Sequence, residues 1–308
     1  MWDASPDVPA GRARRALRTF EYLAPRTVDE AARLLAEHGE TARPIAGGTD
    51  IVVQMKENTT RFPYPQYLID VSRIAELKTI EFSESAGLLI GAGATMAEIA
   101  RHKVISDRYT ALAEGAGAVG SWQTMNVATI GGNLCNAAPS ADTAPALLAF
   151  EAQAVIAGPS GRRTLELAQL FTGPGQTTLA AGELLAEIRT PAPAARTGSA
   201  YRRHTPRKQM DIAVVGVAAV LTLDEDGRIQ GARIALGAVA PTPVRAQQAE
   251  GSLAGQRPSG EAFARAAEIA AGECSPISDL RGSAEFRREI VRVTTERMLR
   301  EAAARAEG

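Results

Sequence analysis

Residues 191–199 read Pro-Ala-Pro-Ala-Ala-Arg-Thr-Gly-Ser and break the chain in two. Proline fixes φ and has no N–H to donate, so the strand pattern of residues 184–190 cannot run through this stretch. Before the break, helix and strand signals alternate. After it come strands and then helices, the order of an α+β unit. With 308 residues and 45% hydrophobic content, each part is long enough to build its own core. The expected organisation is an N-terminal tail over residues 1–19, one domain over residues 20–192 and a second over residues 198–304. Residues 1–19 carry Arg12, Arg14, Arg15 and Arg18 but no apolar secretion core. With few cysteines as well, the expected location is the cytoplasm.

Whole classes of function drop out on charge and ligand supply. Lys plus Arg number 34 and Asp plus Glu 35, so nucleic-acid binding driven by phosphate neutralisation has no support. No apolar run approaches the roughly 18 residues of a membrane helix. Cys135 and Cys274 are the only cysteines, too few for an iron–sulfur cluster or a Cys₄ zinc site, and His38, His102 and His204 are scattered. Redox chemistry on this chain therefore needs an organic cofactor or a partner's metal.

The local signals place the candidate loops. Thr27 with Glu30 forms a capping-box pattern ahead of a helix that stops at His38-Gly39. A short strand over residues 43–46 enters Gly47-Gly48-Thr49-Asp50, and a helix over 51–56 follows. Residues 67–71, 77–82 and 88–91 read as strands, and Thr95 with Glu98 caps another helix. A Gly-rich approach leads to Thr129-Ile130-Gly131-Gly132-Asn133, then a helix over 143–150 and a strand over 152–157. Beyond the break, a strand at 200–203 precedes a hairpin of residues 212–223 and 228–240, and helices cover 261–271 and 284–304.

Two glycine loops, after residue 46 and after residue 129, attract attention. Paired glycines admit positive φ and close backbone approach, and successive N–H groups can converge on an anion. Two such loops suit a diphosphate; each is also compatible with an ordinary tight turn. Gly91-Ala92-Gly93 lacks the third glycine of a dinucleotide fingerprint, and no nucleotide-triphosphate loop occurs. Asp50 and Asp142 flank the loops. A carboxylate repels a diphosphate but accepts strongly from sugar or ribityl hydroxyls. Helix-end roles are equally open for both. Cys135, His204, Trp122 and Tyr201 read as packing or surface residues.

Longer motifs carry a resemblance. PIAGGTDIVVQMK (44–56), LIGAGATMAEI (89–99) and ATIGGNLCNAAPSADTAPALLAF (128–150) resemble the FAD-binding medium subunit of molybdenum hydroxylases, the family of xanthine dehydrogenase and carbon monoxide dehydrogenase medium subunits. FTGPGQTTLAAGELL (171–185), DIAVVGVAAVL (211–221), IALGAVAPTPVRA (234–246) and DLRGSAEFRRE (279–289) extend it over about residues 20–300.

The resemblance implies an α+β fold: a vanillyl-alcohol-oxidase-type (PCMH-type) FAD-binding unit of two subdomains, then an α+β C-terminal domain. It implies FAD; with no His or Cys inside the first glycine loop the flavin is expected to be non-covalent, and no catalytic or metal-ligating residue is expected on this chain. Arg43, Pro44, Ile45, Ala46, Gly47, Gly48, Thr49, Asp50 and Ile51 would surround the diphosphate. Thr129, Gly131, Gly132 and Asn133 would form a second wall, and Asp142 would hold a sugar or ribityl hydroxyl. Leu184 and Leu185 would line the flavin pocket, with Arg203 and Asp211 approaching from the C-terminal domain. Implied partners are a large molybdopterin subunit and a small subunit with [2Fe–2S] clusters; NAD or a quinone is a candidate acceptor. A free-standing FAD reductase or oxidase is the alternative, and it would need an acid or base beside the flavin. Relatives often read Pro-Gln-x-Arg-Asn where this chain has Trp122-Gln123-Thr124-Met125-Asn126, and Lys in place of Arg202 or Arg203. The cysteine-bearing insertion that gives some relatives an extra [4Fe–4S] cluster is missing.

Overall fold

Thr27 sets the start of the first helix, as its neighbours dictate. In the computed structural model, which describes residues 17–60 and 62–308, its side chain accepts from the Glu30 N–H. Glu30 reaches back to the N–H of Arg26 (2.8 Å), one residue beyond the expected box. Helix α1 (Val28–His38) buries Val28, Ala31, Ala32 and Leu35. It covers a parallel sheet of β1 (Glu21–Leu23), β2 (Ala42–Ile45) and β3 (Tyr67–Asp70), ordered β1-β3-β2. Parallel neighbours need crossovers. Helix α1 supplies one, and α2 (Ile51–Glu57) lies on the other, between β2 and β3. The N-terminal tail lies outside the described residues up to residue 16.

The second subdomain begins with β4 (Ile80–Ser83) and β5 (Gly87–Gly91). Leu77, read above as strand, belongs instead to a short 3₁₀ turn, where its side chain is buried. Six helices follow: α3 (Met96–Arg101), α4 (Lys103–Arg108), α5 (Thr110–Gly117), α6 (Trp122–Met125), α7 (Ile130–Asn136) and α8 (Thr143–Ala149). Thr95 and Glu98 form the full capping box that opens α3. The chain then builds β6 (Gln153–Gly158), β7 (Gly161–Glu166), the small pair β8 (Phe171–Gly173) and β9 (Gln176–Thr177), and β10 (Leu184–Thr190). Strand β10 is last in sequence but central in space: the five-stranded sheet runs β4-β5-β10-β6-β7, all antiparallel. Its near-continuous burial follows from that position. Helix α8 is buried on every face, and one apolar core runs through both subdomains.

The C-terminal part holds a four-stranded sheet, β11 (Thr197–His204), β12 (Val215–Leu223), β13 (Ile229–Gly237) and β14 (Val244–Arg245), in chain order. Helices α9 (Gln247–Leu253), α10 (Gly260–Glu273) and α11 (Ala284–Glu307) complete a second core. A Cβ on Gly198 would overlap the Ala302 carbonyl, so β11 and α11 meet backbone to backbone. The other side of this unit leans on the first domain. Tyr201 N–H donates to Glu114 on α5 (2.7 Å), Ala111 N–H to Ser199 Oγ (3.1 Å), and Ala238 N–H to the Pro139 carbonyl (2.7 Å). That seam places β11 beside the glycine-loop domain.

Candidate functional site

Strand β2 delivers the chain to the first glycine loop. Its last residue, Ile45, pairs with Asp70, and the Ile45 carbonyl accepts from Val71 N–H (2.9 Å). The chain then turns through Ala46–Asp50 into α2. Among the described residues, the N–H groups of Gly47, Gly48, Thr49 and Asp50 have no acceptor in the protein. Consecutive amides without acceptors form a concavity of partial positive charge, suited to an anion. Gly48 has φ +70°, which a side chain would strain. Gly47 has another constraint: a Cβ there would overlap the Val127 carbonyl. The first loop thus rests on the segment that leads into the second.

The second loop differs from the sequence reading, in which both loops offer amides. Thr129 is the N-cap of α7 and takes the N–H of Gly132 on its hydroxyl (3.1 Å). Ile130 N–H donates to Ala94 (3.0 Å), Gly131 N–H to Ala92 (2.8 Å) and Asn133 N–H to Thr129 (3.0 Å). None of the amides from Ile130 to Asn133 is left for a ligand. Neither Gly131 nor Gly132 has a positive φ. Gly131 is a packing residue, since a Cβ would stand 2.6 Å from that of Ala92. Asn133 accepts from the Thr143 hydroxyl (2.7 Å), tying α7 to α8.

The two loops meet through a side-chain relay that sequence reasoning missed. Asn136 Nδ2 donates to Asp50 Oδ1 (3.1 Å), and Gln54 Nε2 donates to Asn136 Oδ1 (3.2 Å). Asn136 lies one turn beyond Asn133 on α7, which is the signal that could have singled it out. Asp50 forms no side-chain cap on α2. Desolvation raises its carboxyl above the ordinary value, against a weaker opposing bond from Thr49. Arg43 points elsewhere. Its guanidinium donates to the carbonyls of Glu40 (3.0 Å) and Ala42 (2.6 Å) and lies 4.6 Å over the Phe62 ring, leaving the loop to the backbone. Pro44 is exposed; Ile45, Ala46 and Ile51 are half-buried.

Asp142 departs from the helix-cap reading of it. It makes no side-chain cap bond to α8. Its carboxylate is buried at the seam, where Tyr201 Oη donates to Oδ1 (2.8 Å) and Arg203 to Oδ2 (2.8 Å). Tyr201 and Arg203 alternate on β11, so both side chains leave the same face. Glu114 receives Tyr201 N–H and Arg305 (2.7 Å), and Arg305 also holds the Ser199 carbonyl. Beside this network is a cavity of about 530 Å³ lined by Glu114, Ala118, Tyr201, Arg202, Arg203 and the segment after β11. Asp211 serves that segment. It accepts from the N–H groups of Arg207 (3.1 Å) and Ile212 (2.9 Å), and the Arg207 guanidinium holds its carboxyl below the usual range.

Leu184 and Leu185 are buried in β10 next to α7. Burial there pushes the Cys135 thiol up to about 12, so it is an inert apolar neighbour. Trp122 is exposed with Arg101 5.0 Å over its ring, and Met125 is buried. Among the described residues, no cluster of three or more His, Cys, Asp and Glu is arranged to hold a metal, and no helix is long and apolar enough to cross a membrane.

These residues fit FAD in one specific respect: an acceptor-free amide run, held open by one glycine with no room for a side chain and another at positive φ, matches a diphosphate. Comparison with known proteins points the same way. Residues 18–193 match the family described as the FAD binding domain in molybdopterin dehydrogenase, and residues 200–302 match the CO dehydrogenase flavoprotein C-terminal domain. The chain is 33% identical over 283 residues to the xanthine dehydrogenase FAD-binding subunit of Escherichia coli O157:H7, covering 92% of this chain and 95% of that protein. It is 37% identical over 286 residues to the carbon monoxide dehydrogenase medium chain of Hydrogenophaga pseudoflava, covering 93% and 98%. Among solved structures, carbon monoxide dehydrogenase from that organism superposes with a TM-score of 0.88 at 37% identity, over 94% of this chain and 99% of the matched one. Quinoline 2-oxidoreductase from Pseudomonas putida 86 gives 0.87 at 30% identity, over 95% and 100%.

Proposed function

The chain belongs to the family of FAD-binding medium subunits of molybdenum hydroxylases, and from that premise we propose that it is the electron-transfer flavin module of such a complex. FAD, when bound, supplies a centre that exchanges electrons with one-electron carriers on one side and a two-electron acceptor on the other. The carriers are [2Fe–2S] clusters of a small partner subunit, and substrate oxidation takes place in a large molybdopterin subunit. The acceptor is a diffusible oxidant such as NAD or a quinone. We place the complex in the cytoplasm, on the scarcity of cysteine.

Each element of the site has a task in this reading. The amides of Gly47, Gly48, Thr49 and Asp50 bind the diphosphate. Thr49 and Asp50 address neighbouring hydroxyls, and Asn136 fixes the Asp50 carboxylate for that purpose. Thr129, Gly131, Gly132 and Asn133 contribute shape, because the amides of the last three are already engaged. Leu184 and Leu185 back the wall from β10. The C-terminal domain closes the far side, with Arg203 and Tyr201 anchored on Asp142 and with the segment held by Asp211. The proposed boundaries, residues 20–192 and 198–304, make the flavin a ligand of both domains.

The acceptor-free amide run is the observation that carries this reading. Purification of the native assembly tests it. Expected are an oxidised-flavin absorbance spectrum, FAD and not FMN on heat release and chromatography, and molybdenum and iron in the same complex. A lone, metal-free protein turning over an organic substrate at ordinary enzyme rates would establish the free-standing flavoenzyme instead.

A further inference from the structure

The turn that leads into α11 carries an apolar tip in a fixed frame. Leu280 is fully exposed, and Ile277 and Phe286, before and after it in sequence, are exposed as well. Asp279 and Gly282 exchange both backbone hydrogen bonds (3.1 and 3.2 Å). The Asp279 carboxylate accepts from Arg281 N–H (2.8 Å) and from the buried Arg287 guanidinium (2.7 Å). Arg287 also donates to the carbonyls of Val214 (2.8 Å) and Ala238 (3.1 Å), which fastens the turn to the residues beside β12 and β13. Ala284 N–H donates to Ser278 Oγ (2.9 Å), and Ser275 N–H to the Val239 carbonyl (2.8 Å). Phe286 covers Gly282, where a Cβ would meet its ring at 2.8 Å, and stands edge-on to His204 at the end of β11. A lone exposed leucine is ordinary on a protein surface. This one heads a group of exposed apolar side chains on a turn that hydrogen bonds hold from within and from below.

The charges around the tip leave a positive excess. Among the described residues, Asp279 faces two arginines, Arg281 and Arg287, so one positive charge is left over. Asp211 is matched by Arg207, and Glu285 is offset by Arg288. Lys208, on the segment that runs on from His204, is exposed and has no carboxylate within ion-pair distance. We propose that this turn is a docking knob: Leu280, with Ile277 and Phe286, seats in an apolar socket ringed by carboxylates on another subunit of the complex. The proposal rests on the reading of the chain as one subunit of a heteromeric assembly. A turn already fixed in shape loses little conformational entropy on docking, so the gain from burying its apolar side chains is retained. The positive excess favours an acidic rim on the partner and speeds encounter with it. It also disfavours a second copy of this chain, because a two-fold contact through the tip would bring the same excess charge from both copies together.

The test measures association of the full chain with the remaining subunits of its own assembly, dissociated from it and recovered together. Leu280→Asp should weaken association at least about tenfold, as loss of a central anchor does, with the melting temperature and FAD content of the chain unchanged. Leu280→Met, which keeps the tip apolar, should associate as the unaltered chain does. Lys208→Glu should slow association and flatten its dependence on salt. Leu17→Asp, at an exposed apolar position in the other domain, should do neither. Unchanged affinity in Leu280→Asp overturns the proposal. Self-association of the unaltered chain that Leu280→Asp abolishes overturns it too, since the tip would then serve a second copy. A Leu280→Asp chain that loses affinity and melting temperature together also counts against it, because the leucine would then be needed for folding and not for contact. If Leu280→Asp does not fold at all, Ile277→Ser decides by the same measurements. Failure of the unaltered chain to associate with the remaining subunits would instead refute the reading of it as a subunit.

Discussion

Gly47-Gly48 and Gly131-Gly132 are each preceded by apolar residues, and both are followed within a few residues by a polar side chain. One pair enters a seven-residue helix, and the other lies in the first turn of a seven-residue helix. In space they are opposites. The first has φ +70° at Gly48 and amides with no acceptor. The second has no positive φ, and its amides bond to Ala92 and to the Thr129 cap. Glycine serves conformation and ligand access in one loop and close packing in the other. The same dipeptide therefore marks a binding element only where its N–H groups are left over after folding.

The largest effect should come from Gly47→Val. The new side chain meets backbone at Val127, which cannot rotate away, so the loop must shift and the amide concavity with it. Overpacking of about 1–3 kcal/mol corresponds to roughly 5- to 150-fold in FAD affinity if it falls mainly on the bound state. Flavin absorbance of the purified variant, with its melting curve as a control, measures this. Full occupancy would put the first loop on the same footing as the second. Gly131→Ala should invert the pattern. Its Cβ presses on Ala92 beneath α7, so thermal stability should fall by about 1–3 kcal/mol, with FAD affinity changing less than stability. Affinity lost at an unchanged melting temperature would mean that the second loop binds directly.

Much of the frame was legible from local pattern. Thr95 with Glu98 opens α3, β10 has the bounds its apolar run suggests, and the proline stretch after Thr190 separates β10 from β11. Each rests on neighbours a few residues apart. What was not legible depends on distant partners. The amides of Gly131 and Ile130 are consumed by Ala92 and Ala94, more than thirty positions upstream by number. Asp142 precedes a helix and so suggests a cap, but its partners arrive from β11 across the seam. Arg43 adjoins the first loop in sequence while its side chain folds back on the carbonyls of Glu40 and Ala42. Helices α4 to α6 are only four to eight residues long, with little periodicity to read. The central place of β10 is set by pairing with β5 and β6, and no local signal carries it.

Asp50 sharpens the comparison through pH. Its carboxyl is raised in the folded chain, chiefly by desolvation. A raised carboxyl contributes stability that is fully present below its unfolded pKa and is lost as pH rises through the folded pKa. Asp50→Asn keeps an oxygen for the Asn136 amide and removes the titration. In the FAD-free chain, the melting temperature of this variant should therefore lack the share of stability that Asp50 gains on acidification through the carboxylate range. Melting curves from about pH 3.5 to about pH 7, spanning the ordinary carboxylate range, measure the difference. An unaltered difference between the two ends of that range would mean that Asp50 is as solvated in the folded chain as in the unfolded one.

The smallest effect should be that of Gly132→Ala, and its smallness is informative. Gly132 is exposed and has no positive φ, and the nearest obstacle to an added methyl is the Thr129 hydroxyl, 3.1 Å away. That hydroxyl is the α7 cap, so a few tenths of an ångström of movement is the main cost. Against this, alanine in a helical first turn gains up to about 1 kcal/mol over glycine. The two nearly cancel, and both stability and FAD affinity should stay within about threefold, or roughly 0.7 kcal/mol, of the unaltered chain. Gly48→Ala, at φ +70°, should cost more, because L side chains avoid that conformation. Measured side by side by flavin titration and thermal melt, the two substitutions compare a glycine needed for its conformation with one that is not. Equal losses at both would mean that FAD presses on the second loop as closely as on the first, and that bound flavin makes alike two loops that folding has made different.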